Sequence, residues 1–266
     1  MPLNPVAAKA MLHLWEEPCI SGHGGSGAIF FSGCSLRCVF CQNYKITHEG
    51  YGFPVTEDRL IEIMRSLERE GAENINFVNP THYVHVVEHV LRRYRPGVPV
   101  VYNSGGYDSV EALRKLKGLV DIYLPDWKYS SDALALRYSR APHYTQSAAA
   151  AIGEMLRQQP VNEYGEDGTL QRGVIVRHLV LPGEVQNSIG VLEMICRHFS
   201  NRVTLSLMSQ YTPIPGVPAE LNRRLKPLEY KIVLRRLYRL GFENGYTQEF
   251  SSSREEYIPC FNAHVL

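Results

Sequence analysis

Short apolar runs rich in β-branched residues alternate along this chain with longer stretches whose apolar residues recur every three or four positions. The first pattern predicts strands covered on both faces and the second amphipathic helices, an alternation that builds parallel βα units. Strands are predicted at residues 27–31, 74–78, 98–102, 120–124, 173–181 and 202–207. Between them, Thr56 is placed to cap a helix, with Glu57 and Asp58 in its first turn, Leu60, Met64 and Leu67 on one stripe, and Gly71 to end it. Further helices are predicted near 84–94, from Ser109 to a stop at Gly118, and over 142–159, 189–199 and 228–240. The polar stretch 162–172 reads as a loop inside the repeat. Six βα units suit either a doubly wound sheet or a partial (β/α)6 TIM-like barrel with helices outside.

In such folds the chemistry sits at the C-terminal ends of the parallel strands. Here each apolar run ends in polar residues: Ser32-Gly33-Cys34, Asn79-Pro80-Thr81-His82, Asn103-Ser104-Gly105-Gly106, Asp126-Trp127-Lys128, Pro182-Gly183 after Arg177-His178, and Ser209-Gln210-Tyr211. Six such endings predict one shared polar rim.

Composition narrows the function classes. With 266 residues, 44% hydrophobic and 21% charged, the chain can bury a large core. A formal net charge of +1 supplies no field to hold nucleic acid. No apolar run is long enough to span a bilayer, and the first twenty residues lack a signal-peptide pattern. The expected location is therefore the cytosol, where thiols stay reduced.

Of six cysteines, Cys34, Cys38 and Cys41 crowd into a C-x3-C-x2-C loop directly after the first predicted strand. Thiolates are soft ligands that favour iron–sulfur clusters or zinc. Structural zinc prefers four closed ligands, and only His48, distant and off-pattern, offers a fourth. Three thiolates on a [4Fe–4S] cube leave one iron open for chemistry. The spacing favours the cluster, with zinc as the alternative. Cys19, Cys196 and Cys260 read as packing or incidental thiols.

This loop, within SGCSLRCVFCQN, resembles the radical S-adenosylmethionine superfamily, and within it the branch of pyruvate formate-lyase activating enzymes and their homologues. The resemblance covers the chain from about Ile20 onward and implies a partial barrel over residues 27–240, a lead-in at 1–26, and a C-terminal extension at 241–266 packing on the barrel. It implies a [4Fe–4S] cluster on Cys34, Cys38 and Cys41, reductive cleavage of S-adenosylmethionine, and hydrogen abstraction by a 5′-deoxyadenosyl radical. A flavodoxin or ferredoxin is the implied electron donor, and a protein or peptide the implied substrate. A small-molecule substrate, or a non-catalytic metal protein, are the competing readings.

Position by position, Phe40 matches the aromatic beside the adenine. Where activases carry Gly-Gly-Glu for the methionine amine, this chain has Asn79-Pro80-Thr81, so Asn79, Thr81 or backbone carbonyls would accept from the ammonium. Asn103 and Ser104 stand where Asp-Thr-Asn-Gly is usual and imply ribose or carboxylate contacts. Asp126 and Lys128 match an Asp-x-Lys motif lining the cavity. Arg177 is expected inward, clamping the cofactor carboxylate, with His178 structural on the opposite face. Gln210 replaces a frequent histidine. The branch's longer relatives carry an N-terminal extension with further cysteines, and no auxiliary metal domain is expected here. The Gly22–Gly27 run lacks the lysine of a phosphate loop and precedes a strand, so it reads as a turn. His82, His85 and His89 read as a solvent-facing stripe.

Overall fold

The computed structural model describes residues 4–200, 203–248 and 261. The sheet runs in the order β10-β9-β8-β6-β5-β4-β2-β1-β3. Its parallel strands are β2 (Ser26–Phe31), β4 (Asn74–Val78), β5 (Val100–Ser104), β6 (Ile122–Pro125), β8 (Leu170–Leu179), β9 (Thr204–Met208) and β10 (Gly245–Thr247). The first six match the predicted strands, displaced by up to three residues at their ends. Two strands at the other edge are antiparallel: β1 (Val6–His13) pairs with β2 and with β3 (Phe53–Pro54). Thus β1 lies in the expected lead-in and β10 in the expected extension, and both join the same sheet. The loop predicted at 162–172 carries β7 (Glu163–Tyr164), folded back on β8.

The helices are α1 (Pro18–Ser21), α2 (Tyr44–Thr47), α3 (Glu57–Arg69), α4 (Val84–Arg93), α5 (Val110–Lys115), α6 (Asp132–Ser139), α7 (Tyr144–Gln158), α8 (Val185–Phe199) and α9 (Pro227–Arg239). Capping follows the sequence: Thr56 and Ser109 accept from the backbone N–H groups of Arg59 and Ala112, contacts worth about 1 kcal/mol each. The stripe Leu60, Met64 and Leu67 of α3 is buried, as are Val87, Val90 and Leu91 of α4. Truncating one of these side chains to Ala would cost about 2–5 kcal/mol.

Strand alternation divides the interior into two layers. The larger core lies between strands and outer helices and holds Phe77, Tyr102, Tyr123 and Val176. The concave face holds a smaller core in which Cys19 and Ile20 of α1 meet Val101, Ile122, Leu124 and Ile175. The short helix α1 therefore plugs the N-terminal end of the curved sheet. Closer to the C-terminal ends the same face turns polar. The glycine-rich turn from Gly22 is held by Glu73, whose carboxylate accepts from His23 and Gly24 N–H. At the described end of the chain, Phe261 packs edge-on to Phe30 at 5.5 Å, and its carbonyl accepts from Lys45. No helix among the described residues is long and apolar enough to cross a membrane.

Candidate functional site

The cysteine loop leaves β2 through Gly33, whose φ of +85° and approach to His82 suit a residue without Cβ. Two backbone hydrogen bonds pin the loop to the end of α6: Arg37 N–H to Ser139 O at 2.9 Å and Val39 N–H to Tyr138 O at 2.8 Å. A third, Gly33 N–H to Ile46 O, ties its start to α2. The loop's shape thus depends on a helix that the apolar pattern did not predict. His82, expected on a solvent stripe, instead turns its Nε2 to Ser32 O at 2.7 Å beside the loop, whereas His85 and His89 are exposed as expected.

Cys34, Cys38 and Cys41 line one cavity of about 280 Å³, with Phe40, Asn79, Asn103, Ser104, Asp126, Lys128, Arg177 and Gln210 also in its wall. The structure therefore gathers every expected site residue except Thr81. The Thr81 hydroxyl lies within 2.8 Å of Asn79 Oδ1 and 2.7 Å of Asp108 Oδ1, behind the cavity wall. Thr81 therefore does not line this cavity, and its hydroxyl donates to its neighbours. Asn79 is committed too: its Nδ2 donates toward the Cys34 sulfur at 3.4 Å.

Each of the three sulfurs meets a donor. Ser139 Oγ lies 2.9 Å from Cys38, Thr47 Oγ1 3.3 Å from Cys41, and Leu36 N–H and Asn79 reach Cys34. Burial pushes all three thiols up, Cys38 to about 12, with Lys128 pulling the other way. Buried sulfurs surrounded by donors suit thiolates whose charge a metal centre neutralises. Among the described residues no group of three His, Cys, Asp or Glu side chains is arranged to hold a single metal ion. Three thiols lining one cavity offer the soft donors of an iron–sulfur cluster, and a [4Fe–4S] group suits this donor set.

The rest of the wall is a charge network. Arg177 points inward from β8 and donates from Nε to Asp126 at 2.9 Å, from Nη1 to Glu16 at 3.0 Å and from Nη2 to Asn103 at 2.6 Å. His178, on the opposite face, is fully buried between Trp127 O and Ser188 Oγ, as alternation predicts. Lys128 Nζ pairs with the second oxygen of Asp126. Burial alone would raise Asp126, but Arg177 and Lys128 outweigh it and hold its carboxyl below the ordinary range. Arg177 thus spends three of its five N–H donors inside the protein, leaving one on each Nη nitrogen. Phe40, on the same cavity, is backed by Tyr211, whose ring it meets edge-on at 6.2 Å.

Sequence reasoning missed two features. Glu16, between β1 and α1, joins the network from the lead-in, also accepting from Asn103 Nδ2 at 3.1 Å. Asp108, after β5, is a buried carboxylate that accepts from Ser104 Oγ at 2.6 Å and Tyr102 OH at 2.8 Å. Ser104, which lines the cavity, thus donates its hydroxyl to a carboxylate outside the lining. The adjacent turn requires Gly106, since a Cβ there would meet Asp126 O at 2.0 Å. An acidic pair after an apolar run, Glu16-Glu17, was the available signal for the first.

The sequence matches the Radical SAM superfamily over residues 28–195. An uncharacterized protein of Methanocaldococcus jannaschii is 30% identical over 226 residues, which cover 80% of this chain and 61% of that protein. Among solved structures, methylornithine synthase (PylB) is similar at a TM-score of 0.52 and 17% identity, over 79% of this chain and 61% of that one. Streptococcus suis SuiB bound to S-adenosylmethionine gives 0.54 at 10% identity, over 84% and 50%. These structural likenesses establish a shared α/β fold, a partial TIM-like barrel, and the chain spans less than two thirds of each of these three proteins. The chain belongs to the Radical SAM superfamily, whose members use a [4Fe–4S] cluster and S-adenosylmethionine.

Proposed function

We propose that this protein cleaves S-adenosylmethionine reductively at a cluster held by Cys34, Cys38 and Cys41, and abstracts a hydrogen atom from a glycyl or other backbone position of a protein or peptide, as an activating enzyme does. The observation that carries the reading is the meeting of the three donor-surrounded sulfurs with the Asp126–Lys128–Arg177 network on one cavity. When bound, the cluster and S-adenosylmethionine supply one-electron cleavage of a C–S bond and a carbon radical able to take an unactivated hydrogen.

The chain's own groups prepare that cavity. Phe40, backed by the buried Tyr211, offers an apolar face for a purine. Burial alone would lower the Lys128 ammonium, but Asp126 and Cys38 outweigh it, so it stays charged beside the sulfurs and favours their loss of protons. Asn103 and Asp126 are fixed by Arg177, so the polar wall is preorganised rather than assembled by the ligand. Gln210, held by Gln248 Nε2 at 3.1 Å, supplies the amide at the opposite side. A flavodoxin or ferredoxin is the proposed electron donor.

The test is anaerobic reconstitution with iron and sulfide, then incubation with S-adenosylmethionine and dithionite. Formation of 5′-deoxyadenosine supports the reading. A fully loaded, reduced protein that binds S-adenosylmethionine and forms none would support a non-catalytic metal protein instead. For the substrate, deuterium transfer from a peptide into 5′-deoxyadenosine supports the activase-like reading, and transfer only from small molecules contradicts it.

A further inference from the structure

A second cavity, of about 880 Å³, lies between the β1–α1 segment and the β9–β10 edge of the sheet. It shares Trp15, Glu16, Arg177 and Gln210 with the cysteine-lined cavity, so the two are adjacent across a common wall. Glu17 lines the larger cavity and not the smaller one. The residue is 8% exposed, and its Oε2 has no hydrogen-bond partner among the described residues. A buried carboxylate oxygen without a donor is costly.

The surroundings specify what would satisfy it. Glu16, Glu17 and Asp167 put acidic groups on this wall, and among the described residues the sole Lys or Arg lining it is Arg177, already bonded to Glu16 and Asp126. His23 lies at the outer end beside Asp167. Burial raises the Glu17 carboxyl, with Arg177 and the Ser206 hydroxyl pulling against it. Beside this acidic floor, the rim exposes two large apolar side chains, Leu14 at 54% and Trp15 at 50%. An acidic floor under an apolar rim suits a cation carried on a hydrocarbon stem.

We propose that this cavity is the substrate subsite and that Glu17 receives an organic cation, an ammonium or guanidinium on an alkyl stem lying against Trp15 and Leu14. The proposal rests on the radical reading above, since it gives the second cavity its role. The cation can come from a free amine or from a basic side chain of a peptide. Occupancy would place the stem's neighbouring C–H bonds toward the shared wall of Trp15, Arg177 and Gln210, where the two cavities meet.

The test uses full-length reconstituted protein titrated with n-pentylammonium and, as its neutral counterpart, 1-pentanol, followed by tryptophan fluorescence with Trp15→Phe as the assignment control. Saturable binding of the ammonium, weakened by about tenfold or more in Glu17→Gln, supports the proposal. Equal response to the alcohol, absence of saturable binding, or an unchanged affinity in Glu17→Gln overturns it. Should Glu17→Gln fail to fold, saturation-transfer NMR comparing ammonium with alcohol on the wild-type protein decides the same question. Nα-acetyl-lysine amide and acetyl-Gly-Lys-Gly-amide separate the sources: tighter binding of the tripeptide assigns a peptide, equal binding a free amine, and both sustain the cation. If wild-type protein forms 5′-deoxyadenosine yet binds no ammonium, the inference fails alone. If it binds the ammonium but never forms 5′-deoxyadenosine, the radical reading fails and the cation site stands.

Discussion

Arg177→Met isolates what the buried network contributes to the fold, apart from any cofactor. The Arg177 side chain is 13% exposed and bonds to Glu16 at 3.0 Å, Asp126 at 2.9 Å and Asn103 at 2.6 Å. Removing one partner of a buried ion pair costs about 3–5 kcal/mol, because the remaining charge is left without compensation. Asp126 keeps Lys128, whereas Glu16 loses its only cation in the network, so about 3 kcal/mol is expected. At ~2.1 cal/mol/K per residue the whole chain has an unfolding entropy near ~0.56 kcal/mol/K, which converts that loss to a Tm drop of about 5 °C. Adding Glu16→Gln removes the orphaned charge and should recover about 1–2 kcal/mol. Circular dichroism melts of the reduced, cluster-free protein at neutral pH measure both. A Tm within about 1 °C of wild type for Arg177→Met, or an additional loss on combining it with Glu16→Gln, would refute the reasoning.

Replacing Cys34, Cys38 or Cys41 by Ala should each abolish cluster assembly, read as iron per chain, whereas Cys19→Ala and Cys196→Ala should load normally; Cys260, also expected to be dispensable, lies outside the described residues. Full loading in any loop variant would contradict the assignment. His178 sets a pH dependence: burial lowers its imidazole to about 4. Between 6.5 and 4 the unfolded chain binds the proton and the folded chain does not, so stability falls as pH falls, by about 3 kcal/mol in total, and His178→Gln should flatten that window in urea titrations. Asp108→Asn should release the Ser104 and Tyr102 hydroxyls, destabilising the protein by about 1–3 kcal/mol in the same urea titrations; unchanged stability would show that the carboxylate is not their anchor.

Much of the architecture was legible because parallel strands covered on both faces leave unbroken apolar runs, as in Phe77 or Val101, and because their polar endings converge. The antiparallel β1 was not, since VAAKAMLH has few β-branched residues and a lysine in its middle. Nor was α6, whose Leu136 is 57% exposed while Tyr138 and Ser139 are buried, so no single apolar stripe marks it. The inward face of Arg177 followed from period-two alternation. That its guanidinium is engaged by Glu16 did not, because that contact spans 161 residues and depends on how α1 closes the sheet. Thr81 shows the same limit: its position at a strand end was legible, but Asp108 turning its hydroxyl inward was not.

On the proposed reading, Cys34, Cys38 and Cys41 would hold a [4Fe–4S] cluster in the cavity they share with Asp126, Lys128 and Arg177. Electron paramagnetic resonance of the reduced, reconstituted protein, recorded with and without S-adenosylmethionine, tests it most directly. The account predicts a [4Fe–4S]+ signal whose g-values shift when S-adenosylmethionine is added. A signal indifferent to S-adenosylmethionine, or a protein that fills with one zinc ion and assembles no cluster, would contradict it.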